Sequence, residues 1–342
     1  MSRAPVPLSL LDLAIIGPGQ TARDAFACSV TVAQRAEALG YKRVWYAEHH
    51  NMGSIASSAT SVLVAHIASQ TRTIRLGAGG VMLPNHAPLV IAEQFGTLEA
   101  LHPGRIDLGL GRAPGTDPTT MRALRRDNSS ADTFPDDVLE LQGYLTDNTR
   151  VPGVNATPGR GANVPLYILG SSTFGARLAA KLGLPYAFAS HFAPHALLDA
   201  VALYRREFRP SAQLAAPHVI AGLTVIAADT KSRAEEQLRA VQRARVRLLL
   251  GKGRTFTDEE ADLLMESPAG QQLNQMMTYA AIGTQDEVHA YVAEFVEHAN
   301  ADELMVMHPA QTLEARVRSM ELLAGGPKVA SNGPQAQASP EA

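Results

Sequence analysis

Apolar residues along this chain gather in short unbroken runs, separated by longer stretches in which they recur every three or four positions. The runs cover residues 8–15, 43–49, 74–83, 105–110, 166–169, 186–190, 218–227 and 303–307. Continuous runs, as opposed to in-out alternation, predict strands buried on both faces, the pattern of a parallel sheet covered by helices. The stretches between them predict helices over 21–39, 58–69, 88–101, 135–145, 173–182, 194–208, 284–299 and 312–323. Thr21 with Asp24 and Thr284 with Glu287 have capping-box spacing, Gly40 stops the first helix, and Pro88 suits a first helical position. Eight strand–helix units in strict alternation predict an α/β fold, a single (β/α)8 TIM barrel over residues 1–324, in preference to an open doubly wound sheet.

Two connections are long. Residues 113–165 follow the fourth strand and 229–283 follow the seventh, so both overhang the C-terminal mouth, where such barrels carry their chemistry. The second contains helical patterns at 232–250 and 258–264 and a Gly251-Lys252-Gly253 break. Loops of this length are lids or substrate walls, or contacts between subunits. Residues 325–342, rich in Gly, Pro, Ser and Ala, read as a disordered tail.

Composition narrows the function classes. An apolar share of 46% with 18% charged residues is that of a globular protein with a large core. Thirty basic against thirty-three acidic residues leave no excess charge to attract nucleic acid or an anionic membrane. The lone cysteine, Cys28, excludes an internal disulfide framework and a cysteine-rich metal site, and fits a reducing cytoplasm. The first apolar run is interrupted by Asp12 and lacks the basic cluster of a targeting signal, and no run approaches the roughly 20 residues of a membrane span.

Four strand ends hold candidate chemistry. Glu48-His49-His50 ends the second; adjacent histidines on a strand point to opposite faces, and His49 is read as the inward one, placed to exchange protons with a ligand. Gly77-Ala78-Gly79-Gly80 ends the third, where backbone from Gly79 to Val81 can abut a flat ring, or where glycine merely relieves crowding. Arg112 follows the fourth strand, as an anion fork or an ordinary surface ion pair. Gly170-Ser171-Ser172-Thr173 ends the fifth and opens into a helix, whose free N–H groups form an anion site unless a serine simply caps them. Together these predict a planar, phosphorylated cofactor at the C-terminal rim.

The segments WYAEHH (45–50), LGAGGVMLP (76–84), PGRIDLGLGR (103–112) and LGSSTFGARLAAKLGLPYAFASHF (169–192), in that order, are similar to those of the bacterial luciferase-like flavin-dependent monooxygenases across residues 8–323. The resemblance implies that His49 is the catalytic histidine and that Gly79-Gly80 form a non-proline cis peptide behind the flavin ring. It likewise implies that Arg112 and Ser171 hold the flavin phosphate, with Gly80, Val81, Gly170 and Ser172 beside them. Gly170, His191 and Gly111 stand where the luciferase pattern has glutamate, tryptophan and cysteine, which places the chain among non-luminous relatives.

The implied activity is oxygenation of a small organic substrate by O2 and reduced FMN, supplied by a separate NAD(P)H-dependent flavin reductase. A homodimer through the helices after strands two and three is implied as well. Alternatives within the fold are a deazaflavin-dependent reductase or dehydrogenase and a catalytically silent flavin-binding protein. A metal-dependent hydrolase is disfavoured because Asp12-Leu13-Ala14 stands where an H-x-H would be, and no GxGxxG marks a built-in nicotinamide site. His86, His191 and His308 are left as histidines that line the pocket or support its rim.

Overall fold

The computed structural model describes residues 4–326 apart from 114, 252, 253 and 255. Eight parallel strands close into a ring: β1 (Leu8–Asp12), β2 (Arg43–Tyr46), β3 (Arg75–Met82), β4 (Ile106–Gly111), β5 (Leu166–Gly170), β6 (Tyr186–Phe188), β7 (Val219–Ala227) and β9 (Glu303–Met307). The last pairs with both β7 and β1, and β6 pairs with β7, so the ring has no open edge. The predicted TIM barrel is the observed fold. A ninth strand, β8 (Ala280–Gly283), lies outside the ring against the upper half of β7, in register from Thr224 with Ala280 to Ala227 with Gly283.

That strand adds to the helical patterns expected in the second connection. Four residues, Ala280–Gly283, give too short a run to register as a strand, and β7 is long enough to pair with three partners in succession. The same connection holds α8 (Lys231–Leu250), α9 (Asp258–Glu266) and α10 (Pro268–Gln275), numbered in chain order with the helices below. The first connection holds a short helix, α4 (Pro118–Ala123), and a 3-10 turn (Asn128–Ala131) before α5 (Phe134–Leu145). Gly251 caps α8, its N–H donating to the Arg247 carbonyl, while Lys252, Gly253 and the tail beyond 326 fall outside the described residues.

The helices around the ring follow the predicted pattern. They are α1 (Ala22–Ala38), α2 (Thr60–Gln70), α3 (Pro88–Leu101), α6 (Thr173–Leu182), α7 (Leu197–Glu207), α11 (Gln285–Ala299) and α12 (Leu313–Leu323). Thr21 and Asp24 form the expected capping box, and so do Thr284 and Glu287. The predicted 194–208 helix divides into a 3-10 turn, Pro194–Ala196, and α7. The main core lies between strands and helices, while a small inner cluster (Leu11, Trp45, Ala47, Tyr167, Ala187, Ile220 and Met305) fills the barrel's interior.

The N-terminal end of the barrel is closed by buried charge. Arg43 is sealed from water and pairs with Asp107 at 2.7 Å and with Glu303 at 2.9 Å. Arg75 reaches the other oxygen of Asp107 at 2.6 Å, Lys42 reaches Glu303 at 2.7 Å, and Trp45 Nε1 donates to Asp107 at 3.1 Å. Burial pushes the Glu303 carboxyl up, but His218, Arg43 and Lys42 outweigh it and hold it at about 2. Removing one member strands the others, so Arg43→Met should cost about 3–5 kcal/mol in urea unfolding. A loss below about 1 kcal/mol would mean the network is dispensable.

Candidate active site

β2 ends at Tyr46, three residues earlier than predicted, so Glu48, His49 and His50 lie on an extended segment past the strand. Trp45 and Ala47 belong to the inner cluster, and His49 comes next in that alternation. His50 turns the other way. The His49 N–H donates to the Ser57 carbonyl at 3.0 Å, and its Nδ1 is buried with no hydrogen-bond partner. Burial lowers its pKa, opposed by a bond to the Ala47 backbone and by the Glu48 charge and reinforced by the His50 charge, so the neutral imidazole is favoured.

Glu48, not singled out from the sequence, organises this corner. Its carboxylate is buried; Oε1 is 2.7 Å from His50 Nε2 and 2.8 Å from His86 Nε2, and Oε2 accepts the Met82 N–H at 3.0 Å. The Glu48 N–H donates to the Gly80 carbonyl at 3.3 Å. One residue thus ties the end of β2 to the Gly79–Val81 segment. Burial raises the Glu48 carboxyl, but His50, His86 and the Met82 N–H outweigh it and bring it to about 2. The bond to Glu48 raises His50.

The Gly79-Gly80 peptide is cis, as the resemblance implied. Here β3 advances three residues, Ala78 to Val81, while β4 advances two, Leu108 to Leu110. A Cβ on Gly79 would sit 2.7 Å from Trp45 Cβ, and one on Gly80 would sit 2.7 Å from the Gly109 carbonyl oxygen. The barrel's own packing therefore demands glycine at both positions. The Val81 side chain points outward, lining a cavity of about 290 Å³ between α2 and α3 with Glu48, His50 and His86.

Across the rim, the structure brings Arg112 to the start of α6. The guanidinium stacks over Phe174 at 4.1 Å, one turn from Ser171 and Ser172. Ser171, Ser172 and Thr173 are exposed, and the Ser172 hydroxyl does not cap the helix, so the first N–H groups of α6 face outward uncapped. Gly170 ends β5 beside them.

The three histidines left open separate. His86 lies on Glu48 in the outer cavity. His308 is outside the barrel, its Nδ1 2.8 Å from Ser319 Oγ and its Nε2 3.3 Å from Tyr41 Oη, and burial then Arg316 push it down to about 3. His191 is buried at the mouth, where burial and then the Arg245 charge push it down to about 4. Asp12 has a structural role: Arg316 pairs with it at 3.0 Å and Ser29 donates to it at 2.7 Å. Glu48, His50 and His86 are the only described residues whose ligating atoms lie close enough to hold a metal ion; here both imidazoles meet the carboxylate directly.

With this arrangement in view, the family model for luciferase-like monooxygenases matches residues 8–302. The chain belongs to that family. A luciferase-like monooxygenase of Escherichia coli K12 is 47% identical over 325 residues, covering 94% of this chain and 97% of its own length. The N-acetyl-S-alkylcysteine monooxygenase of Bacillus subtilis is 33% identical over 329 residues, covering 93% and 97%. The crystal structure of apo-MsnO8 superposes with a TM-score of 0.85 at 33% identity, covering 94% and 98%.

Membership places the chain among the flavin-dependent monooxygenases as a class. The fold alone does not choose the flavin. An FMN complex of a diketocamphane monooxygenase component from Pseudomonas putida and an F420-dependent secondary alcohol dehydrogenase each share it at a TM-score of 0.67, at 17% and 15% identity. No helix among the described residues is long and apolar enough to cross a membrane.

The Glu48 clamp has a pH signature. Glu48 titrates at about 2 against 4.5 when free, so its contribution is complete above pH 4.5 and lost as pH falls toward 2. His50 is raised above 6.5, so its contribution is complete below 6.5 and lost as pH rises through its folded value. The stability gap between wild type and Glu48→Gln should therefore be widest between pH 4.5 and 6.5 and narrow on either side. A gap independent of pH in urea titrations would remove this assignment.

Proposed function

We propose that this protein is an FMN-dependent monooxygenase that takes reduced flavin from a separate NAD(P)H-dependent reductase and adds one oxygen atom from O2 to a small organic substrate. The carrying observation is the Arg112 guanidinium stacked on the first turn of α6, beside exposed Ser171 and Ser172. A phosphate there would meet a fork of guanidinium donors, two hydroxyls and uncapped N–H groups at the positive end of a helix dipole. Those residues, with Gly170, would hold the phosphate. Gly79, Gly80 and the Val81 backbone would flank the ring.

The bound flavin would supply the two electrons and the site of O2 activation. The protein's part is orientation and proton control. His49, with the neutral form favoured and Nδ1 unpartnered, can accept a proton at that atom and, once protonated, return it. The two long connections would wall the mouth against water. The substrate of the Bacillus subtilis relative, an N-acetyl-S-alkylcysteine, makes thioether oxygenation the first assay. A homodimer through α2 and α3 is supported by Val62 and Val90, which are 69% and 44% exposed beside the outer cavity.

F420 remains the rival cofactor, and a titration with FMN and a deazaflavin separates the two. Tight FMN binding with incorporation of isotopically heavy oxygen from O2 into product is expected; deazaflavin binding with hydride transfer alone would overturn the reading. His49→Ala should keep FMN binding and lose oxygenation by about a hundredfold or more. Unchanged turnover would remove His49 from the mechanism. Arg112→Ala should weaken FMN by about tenfold while changing riboflavin, which has no phosphate, by less than about twofold. Equal weakening of both would place the phosphate elsewhere.

A further inference from the structure

Three side chains other than His49 bring unsatisfied polar atoms to the barrel mouth. Nδ1 of His191, Oγ1 of Thr224 and Nη1 of Arg245 are all sealed from solvent without a hydrogen-bond partner. Ile220, Gly222 and Thr224 share the inward face of β7, with Ile220 in the inner cluster below and Thr224 nearest the mouth. Glycine at 222 makes room for His191, since a Cβ there would collide with Nδ1, and Ser190 Oγ donates to the Gly222 carbonyl at 2.6 Å. Arg245 comes from α8, which packs on β7 and β8, and its charge acts on His191.

Arg245 is the anomaly. Arg43, buried at the floor of the ring, has its carboxylates in Asp107 and Glu303. Among the described residues Arg245 has no ion pair, and nothing but burial acts on its pKa, which is lowered. Arg245 is half-buried, and proteins rarely leave a cation's sealed donor, here Nη1, unpaired. A guanidinium, a hydroxyl and a neutral imidazole can all donate to one acceptor, and a planar fork suits a carboxylate. A cationic ligand or a metal ion would be repelled. The flavin phosphate would have its own donors at Arg112 and the start of α6.

We propose that Arg245, with Thr224 and His191, forms a carboxylate subsite at the barrel mouth, so that the organic substrate is a small organic acid held by its anionic end. This rests on the monooxygenase reading. The reduced flavin ring, itself anionic, is the other candidate partner for Arg245, and the test separates the two.

The full-length protein, with and without FMN, would be titrated calorimetrically with N-acetyl-S-methylcysteine, N-acetyl-S-benzylcysteine, butanoate and benzoate, each beside its primary amide. At least one acid should bind wild type about tenfold or more tighter than its amide. Arg245→Met should bring that ratio to about one by weakening the acid alone, and Arg245→Lys, which keeps the charge, should restore part of it. No acid preference in any pair, or a preference that survives Arg245→Met, overturns the proposal. So does a change confined to the ratio of reduced to oxidised FMN affinity, which would assign Arg245 to the flavin. Absence of FMN binding would sink the cofactor reading while leaving the acid-to-amide ratio readable in the flavin-free titration.

Discussion

A guanidinium with no access to water governs how this barrel is built. Arg43 sits at the N-terminal end of β2 and satisfies Asp107 from β4 and Glu303 from β9, with Arg75, Lys42 and Trp45 filling the remaining sites. Buried charges survive when each has its counter-charge, and here the partners come from strands across the ring. The network therefore both closes the floor and ties distant strands together. Above it the inner cluster, with Trp45, Tyr167 and Ile220, fills the interior, leaving the C-terminal end as the place for chemistry.

The two ends of the barrel differ in their state of satisfaction. At the floor the carboxylates and guanidiniums are matched. At the mouth His49 Nδ1, His191 Nδ1, Thr224 Oγ1 and Arg245 Nη1 are buried and unmatched. Native proteins pair nearly all such atoms; exceptions are scattered elsewhere in this chain too, and the four at the mouth are the ones a bound ligand could complete. Glu48 links the halves of that site, since it holds the end of β2 against the Gly79–Val81 segment while the chain on either side sends His49 and His50 in opposite directions.

The alternation of apolar runs and 3.6-residue periodicity was enough to read the barrel and its two long connections, because burial on both faces leaves an unmistakable pattern. α3, α6 and β9 fall where the pattern placed them. The misses share a cause. β8, α4 and α10 are four to eight residues long, too short for a period to show; β8 is held by β7, and α10 by α8 and α9. Strand two was read past Tyr46 because the apolar run continues to Ala47, whereas the ladder ends at Tyr46 and Glu48 is buried through its own side-chain bonds.

Local sequence alone determined the fold, the capping boxes at Thr21 and Thr284, the rim positions of His49, Arg112 and Ser171, and the family, since each depends on residues adjacent or regularly spaced in the chain. Tertiary structure decided which distant residues meet. Arg112 reaches Phe174 across sixty-two positions, His86 reaches Glu48, and Arg245, an arginine on the packed side of a charged helix, arrives beside His191. An arginine reads the same in sequence whether or not a carboxylate awaits it; only the folded chain shows that for Arg245 none does among the described residues.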